Sequence, residues 1–159
     1  MSKFIYLSKE GYDKITSELE ELKTQKRPEL SNKISEARDF GDLKENAEYH
    51  AAKEALSHLE TRIAKLQETI SKARVIEKKD ITDQHVSIYT TVQLFDIERN
   101  MQKEYTLVSE EESNFQENKI STSSPVGRAL LGKKIDEIVE INVPAGMLRF
   151  QVKNIKMSI

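Results

Sequence analysis

From Tyr49 onward, apolar side chains recur by threes and fours: Tyr49, Ala52, Leu56, Leu59, Ile63, Leu66, Ile70 and Ala73. A helix turns once every ~3.6 residues, so this spacing gathers them into one stripe that needs a second apolar surface to cover it. The preceding segment supplies such a surface. Tyr12, Ile15, Leu19, Leu22, Leu30, Ile34 and Ala37 form a looser stripe, with Lys26 where an apolar residue is expected. Pro28 lies inside this arm, where it removes a hydrogen bond and should bend the helix. Helix starts are expected at Ser8 and near Asp42, each followed by acidic residues. Two arms of about 30 residues, each roughly 45 Å long, would fold back on one another as an antiparallel coiled-coil hairpin over residues 1–76. One continuous helix dimerising in parallel is the alternative, and Gly41 followed by Asp42 argues against it.

Beyond Ile76 the helical period disappears. Val86 to Ile97 and Tyr105 to Val108 carry β-branched and aromatic residues around a turn near Glu98, Arg99 and Asn100. Ser124-Pro125 before VGRALLG reads as an N-cap, a proline in the first helical turn, a short helix and Gly132 as its stop. Ile135 to Val143 and Met147 to Ile155 read as two further strands joined across Pro144-Ala145-Gly146. The expected class is therefore α+β: a hairpin at 1–76, a charged linker at 77–84, and at 85–159 a bent antiparallel sheet with one short helix.

The chain has 159 residues, with 25 basic and 27 acidic side chains and a formal charge of −2. No global positive field draws it onto nucleic acid, so any contact with DNA or RNA must use a local patch or a protein partner. It contains no cysteine, which excludes disulfides and thiolate metal sites. No stretch approaches the ~18 apolar residues of a membrane span, and the start lacks the apolar core of a signal peptide. A soluble, cytoplasmic protein is expected.

The break between the arms is acidic. Glu36, Asp39, Asp42, Glu45 and Glu48 face only Arg38 and Lys44 across residues 36–48, five acids less two bases, or −3. An ordinary solvated turn, with carboxylates stabilising a helix N-terminus, fits the charge alone. A partial metal site is the other reading. At i,i+3 on a first helical turn, Asp42 and Glu45 would converge. Mg²⁺ is commonly held by one or two carboxylates plus substrate phosphates, and such a tip becomes useful beside a second metal in a partner's active site. The three histidines have no metal-ligand spacing and there is no phosphate-cradling glycine loop, so the chain has no catalytic apparatus of its own. Tyr49 begins the seam and also lies near the tip, where it can touch a nucleotide. His50 reads as solvent-facing. Lys23, Lys26, Arg27, Lys33 and Arg38 make the first arm partly basic, with interleaved acids consistent with a salt-bridged surface or with a small RNA-guiding patch.

GDLKENAEYHAAKE at 41–54 closely resembles the tip motif of the bacterial GreA/GreB transcript cleavage factors. KRPEL at 26–30 and EAR at 36–38 resemble that family's first helix, and SSPVGRALLGKK at 123–134 resembles its C-terminal signature. The resemblance implies a coiled-coil hairpin joined to an FKBP-like domain without isomerase activity. It implies docking of that domain on RNA polymerase at the rim of the secondary channel, through Ser124 and Pro125. The hairpin would then reach the active centre, where Asp42 and Glu45 help hold a Mg²⁺ and a water, and the polymerase cuts its own RNA near the backtracked 3′ end. Tyr49, Lys26, Arg27, Arg38 and Lys44 would contact RNA or flank the tip, and the factor would act as a monomer. The small basic patch fits the GreA branch. Ser123 stands where the family often has Asn or Asp, and Ile88 and Tyr89 stand where relatives commonly have a glycine. A channel-entering inhibitor that supports no cleavage is a second reading, and a helical adaptor or chaperone with a solubilising tip is a third.

Overall fold

A computed structural model describes residues 4–41 and 45–159. The chain divides into two compact units, one holding residues 10–73 and the other residues 5–9 with 74–159.

The first unit is the helical hairpin. Its ascending arm comprises α1 (Lys9–Glu21), a π-helical turn (Leu22–Lys26) and α2 (Arg27–Asp39), and its descending arm is α3 (Ala47–Lys72). The Arg27 N–H bonds the Leu22 carbonyl, one residue further back than in an α-helix, and Pro28 follows in the first turn of α2, where its missing N–H costs least. The antiparallel register is visible in two bidentate pairs, Arg62 with Glu18 and Arg27 with Glu60. Along α3, Ala52, Leu59, Ile63, Leu66 and Thr69 are buried. The expected stripe is thus present, with Thr69 added to it.

The second unit contains a five-stranded sheet in the order β5-β4-β3-β7-β6 and a separate two-stranded ribbon of β1 (Ile5–Ser8) and β2 (Ala73–Ile76). The sheet strands are β3 (Thr90–Asp96), β4 (Met101–Val108), β5 (Lys119–Ser121), β6 (Ile138–Val143) and β7 (Gly146–Met157). All pairs are antiparallel except β4 with β5, so the sheet is mixed rather than wholly antiparallel. A bulge opposite Gln93 and Leu94 lets β7 bend across β3. Helix α4 (Pro125–Leu130) contributes Leu130 to a core with Val92, Leu94, Leu107, Phe150 and Val152.

Two buried polar groups fix local geometry. Asp96 ends β3. Burial opposes its charge, but hydrogen bonds from the Arg99 backbone and guanidinium outweigh that and hold its carboxyl below the usual range. Tyr89 precedes β3 with φ +63°, in the left-handed region that bulky residues rarely enter. Its N–H donates to the Leu107 carbonyl and its carbonyl accepts from Ser158. Its hydroxyl donates to Glu112. Burial, then the Glu112 hydrogen bond and charge, push the phenol well above its ordinary value.

Candidate functional site at the hairpin tip

The first arm ends at Phe40, whose N–H reaches back to the Ala37 carbonyl at 3.2 Å, and Gly41 follows at φ +130°. Only glycine adopts that conformation without strain, which explains its place just past α2. Asp42 and Lys44, expected at the tip, lie outside the described residues. Glu45 is exposed in the turn that leads into α3.

The expected start of the second helix near Asp42 is corrected by the structure. The N-cap is Asn46, whose Oδ1 accepts the Tyr49 N–H at 3.0 Å, and α3 begins at Ala47. Glu45 therefore precedes the cap, and the i,i+3 geometry on a first helical turn does not apply to it. The expected helix start at Ser8 is found: Ser8 ends β1, α1 begins directly after it at Lys9, and the Ser8 hydroxyl also donates to Glu112 at 2.5 Å.

Asn46 makes a second contact that sequence inspection missed. Its Nδ2 donates to the Ala37 carbonyl at 2.5 Å, joining the end of α2 to the start of α3. Phe40 was also missed, being 81% exposed beside the turn. It borders a groove of about 380 Å³ between α2 and α3, floored by Leu30, Ala37, Ala51, Ala52 and Ala55.

Tyr49 is half-buried in the first turn of α3, with the Lys53 ammonium 5.3 Å from its ring centre and the His50 ring edge-on at 5.6 Å. Arg38 is exposed, and Lys26 lies 4.0 Å from Glu29. Arg27 is bound at 2.8 and 2.9 Å by Glu60, so its guanidinium joins the two arms. These positions do not converge on one point. Among the described residues no group of three or more His, Cys, Asp or Glu can hold a metal ion.

In the second unit Ser124 caps α4, accepting the Gly127 N–H at 3.0 Å while its hydroxyl donates to the Ser121 carbonyl at 2.6 Å. Ser123 and Pro125 are exposed beside it. Gly127 is obligatory here, because a Cβ would stand 2.1 Å from the Ser121 carbonyl oxygen.

A helical hairpin with a carboxylate-bearing tip and a separate mixed-sheet unit with a rigid Ser-Pro loop is the build of a bacterial transcription elongation factor, and sequence comparison agrees. A family model described as transcription elongation factor, N-terminal, matches residues 5–75, and one described as transcription elongation factor, GreA/GreB, C-term, matches residues 81–157. The chain belongs to the GreA/GreB family. It is 50% identical over 157 residues to transcription elongation factor GreA of Chloroherpeton thalassium, covering 99% of each chain. It is 46% identical over 155 residues to GreA of Flavobacterium johnsoniae, covering 98% of each. Among solved structures, the Gfh1 protein of Thermus thermophilus is similar at 26% identity and a TM-score of 0.46, over 97% of this chain and 99% of that one. Among the described residues, no helix is long and apolar enough to cross a membrane.

Proposed function

We propose that this chain binds bacterial RNA polymerase through its second unit, passes its hairpin through the secondary channel, and stimulates the polymerase's own cleavage of backtracked RNA. It is not an enzyme in isolation. The observation that carries this reading is Glu45, an exposed carboxylate immediately outside the cap of a 26-residue helix at the end of a two-helix stalk. With Asp42 it would hold Mg²⁺ jointly with the polymerase. Such an ion neutralises charge on a phosphodiester and lowers the pKa of a bound water. Tyr49, with the Lys53 ammonium near its ring, offers a face to a nucleotide, while Lys26, Arg38 and Lys44 favour the RNA backbone. Arg27 is engaged by Glu60, which leaves a small basic patch and supports the GreA branch over a factor with a broad one. On the docking loop, Pro125 is exposed, whereas Ser123 bonds the Ser121 hydroxyl and Ser124 acts through the fold of the loop.

The test uses a stalled elongation complex carrying RNA labelled at its 5′ end, with Mg²⁺ present. The wild type should shorten the RNA from its 3′ end, as metal-assisted cutting of a backtracked transcript requires. Asp42→Asn/Glu45→Gln should bind the polymerase and leave the RNA intact. If both proteins slow nucleotide addition and neither shortens the RNA, the chain is instead a channel-binding regulator that inhibits without cleavage.

A further inference from the structure

The side chain of Asn46 makes two bonds that pull in different directions along the chain. Its Oδ1 accepts from Tyr49 N–H inside its own helix, while its Nδ2 donates to the Ala37 carbonyl on the opposite arm. Capping alone would not select asparagine, because Asp and Ser cap about as well. The second bond does, since an amide carries its acceptor and its donor on two separate atoms that can face opposite arms, whereas a carboxylate has no donor and a serine hydroxyl has a single, shorter-reaching oxygen. The carbonyl it reaches belongs to the last turn of α2, where it also accepts the Phe40 N–H at 3.2 Å, and Ala37 itself is only 4% exposed.

We propose that Asn46 is a positioning residue: an interarm clamp that fixes where Glu45 is presented. Glu45 is its chain neighbour, with Cα atoms about 3.8 Å apart across a trans peptide. Pinning Asn46 to both arms therefore leaves the Glu45 backbone little freedom. The seam fixes the arms only through side chains such as Ala52 and Leu59 further down α3. This inference rests on the cleavage reading above, in which a carboxylate must be held in register with a reacting phosphodiester.

Asn46→Asp separates the two bonds. The carboxylate still caps α3 but has no proton for the Ala37 carbonyl. Asn46→Ser does the same without added charge, since its hydroxyl is too short to span the arms. Two measurements on the full chain decide the matter. Amide hydrogen exchange across residues 38–48 should quicken about tenfold in both variants, as expected when a local contact is lost, with residues 49–72 unchanged. In the transcript cleavage assay, the maximal rate at saturating protein should fall about ten- to a hundredfold, the scale of a misplacement near 1 Å. The protein concentration giving half the maximal rate should stay within about twofold, because docking lies in the other unit. A merely structural role would instead raise that concentration and quicken exchange along all of α3. If the wild type cleaves and both variants match its maximal rate, the clamp is overturned alone. If the wild type never shortens the RNA, the cleavage reading falls and the positioning role falls with it.

Discussion

Glu112 gathers three buried hydroxyl donors in the second unit, and removing it should destabilise the fold strongly. It lies on a short turn after β4, and its carboxylate accepts from the Ser8 hydroxyl at 2.5 Å, the Ser109 hydroxyl at 2.9 Å and the Tyr89 hydroxyl. Ser8 and Ser109 are each 6% exposed and Tyr89 is 2% exposed, so none of the three can turn to bulk water. A hydrogen bond to a charged acceptor contributes about 1.5–3 kcal/mol, and stranding a buried donor costs about 1–3 kcal/mol. Besides Glu112, the Tyr89 hydroxyl has only weaker neutral partners in reach among the described residues, the Ser109 hydroxyl and the Tyr6 carbonyl at 3.4 Å. Allowing about 2 kcal/mol for it and about 0.5–1 for each serine, whose hydroxyls can rotate, Glu112→Ala should lose about 3–4 kcal/mol. At about 1.4 kcal/mol per tenfold, core amides such as Leu94 and Val152 should exchange roughly 100 to 1,000 times faster. Glu111→Ala, one residue away and exposed, should stay within about 0.5 kcal/mol of wild type. A Glu112→Ala protein whose core exchange rises less than about fivefold would refute the idea that this carboxylate carries three buried donors.

Tyr89→Phe tests the same cluster by pH. Because burial and Glu112 raise the phenol in the folded state, the folded chain holds this proton more tightly than the unfolded chain, whose tyrosines titrate near ~10. The hydroxyl's contribution is thus complete below about pH 10 and is lost as pH rises beyond it, at up to about 1.4 kcal/mol per pH unit. In urea titrations the advantage of wild type over Tyr89→Phe should hold from pH 7 to 9 and shrink above about 10; an advantage constant to pH 11 contradicts it. Gly127→Ala should cost at least about 2 kcal/mol, because its Cβ would meet a backbone oxygen at 2.1 Å and the Ser124 hydroxyl at 2.9 Å. Ser124→Ala, which removes the cap and the bond to the Ser121 carbonyl without a steric clash, should cost about 1–1.5 kcal/mol. Denaturation midpoints showing the two equal would mean that the loop gives way more easily than its hydrogen bonds imply.

Features whose cause is local could be read from the sequence. The α3 stripe follows from the helical repeat, and α4 follows from Ser124, Pro125 and Gly132 in order, which the structure reproduces through the Ser124 cap and a Gly132 φ of +82°. Features whose cause is distant could not. Strands β1 and β2 have four residues each, too short for a period to show, and they pair across the whole length of the hairpin. At the tip, Asp42 and Asn46 are both competent caps. The sequence favoured Asp42 because an acid follows it three residues later, whereas the bond that selects Asn46 runs to Ala37 on the other arm. Tyr89 is the converse case. The resemblance calls for a glycine in that segment, and the φ of +63° explains why one would serve. This chain keeps the conformation with a tyrosine because Glu112, Leu107 and Ser158 hold it at its side chain and both backbone groups.

Lys26 in the apolar stripe looked like a flaw in the first arm, yet it is the trace of the π-helical turn. Residues 12, 15, 19 and 22 advance by three, four and three, and continuing that rhythm gives 26, 29, 33 and 36. All four positions, Lys26, Glu29, Lys33 and Glu36, are charged and exposed, and the apolar residues stand at 30, 34 and 37, each one later than 29, 33 and 36. A slip of one residue is what a single π-helical turn introduces, and the structure has it at Leu22–Lys26. The slip also reaches the functional end. Without it Glu36 would face α3 where buried Ala37 now lies, and a different carbonyl would meet the arm that carries Asn46. The phase shift near the middle of the arm thus determines which backbone oxygen receives the Asn46 amide, and through it how the tip carboxylate is held.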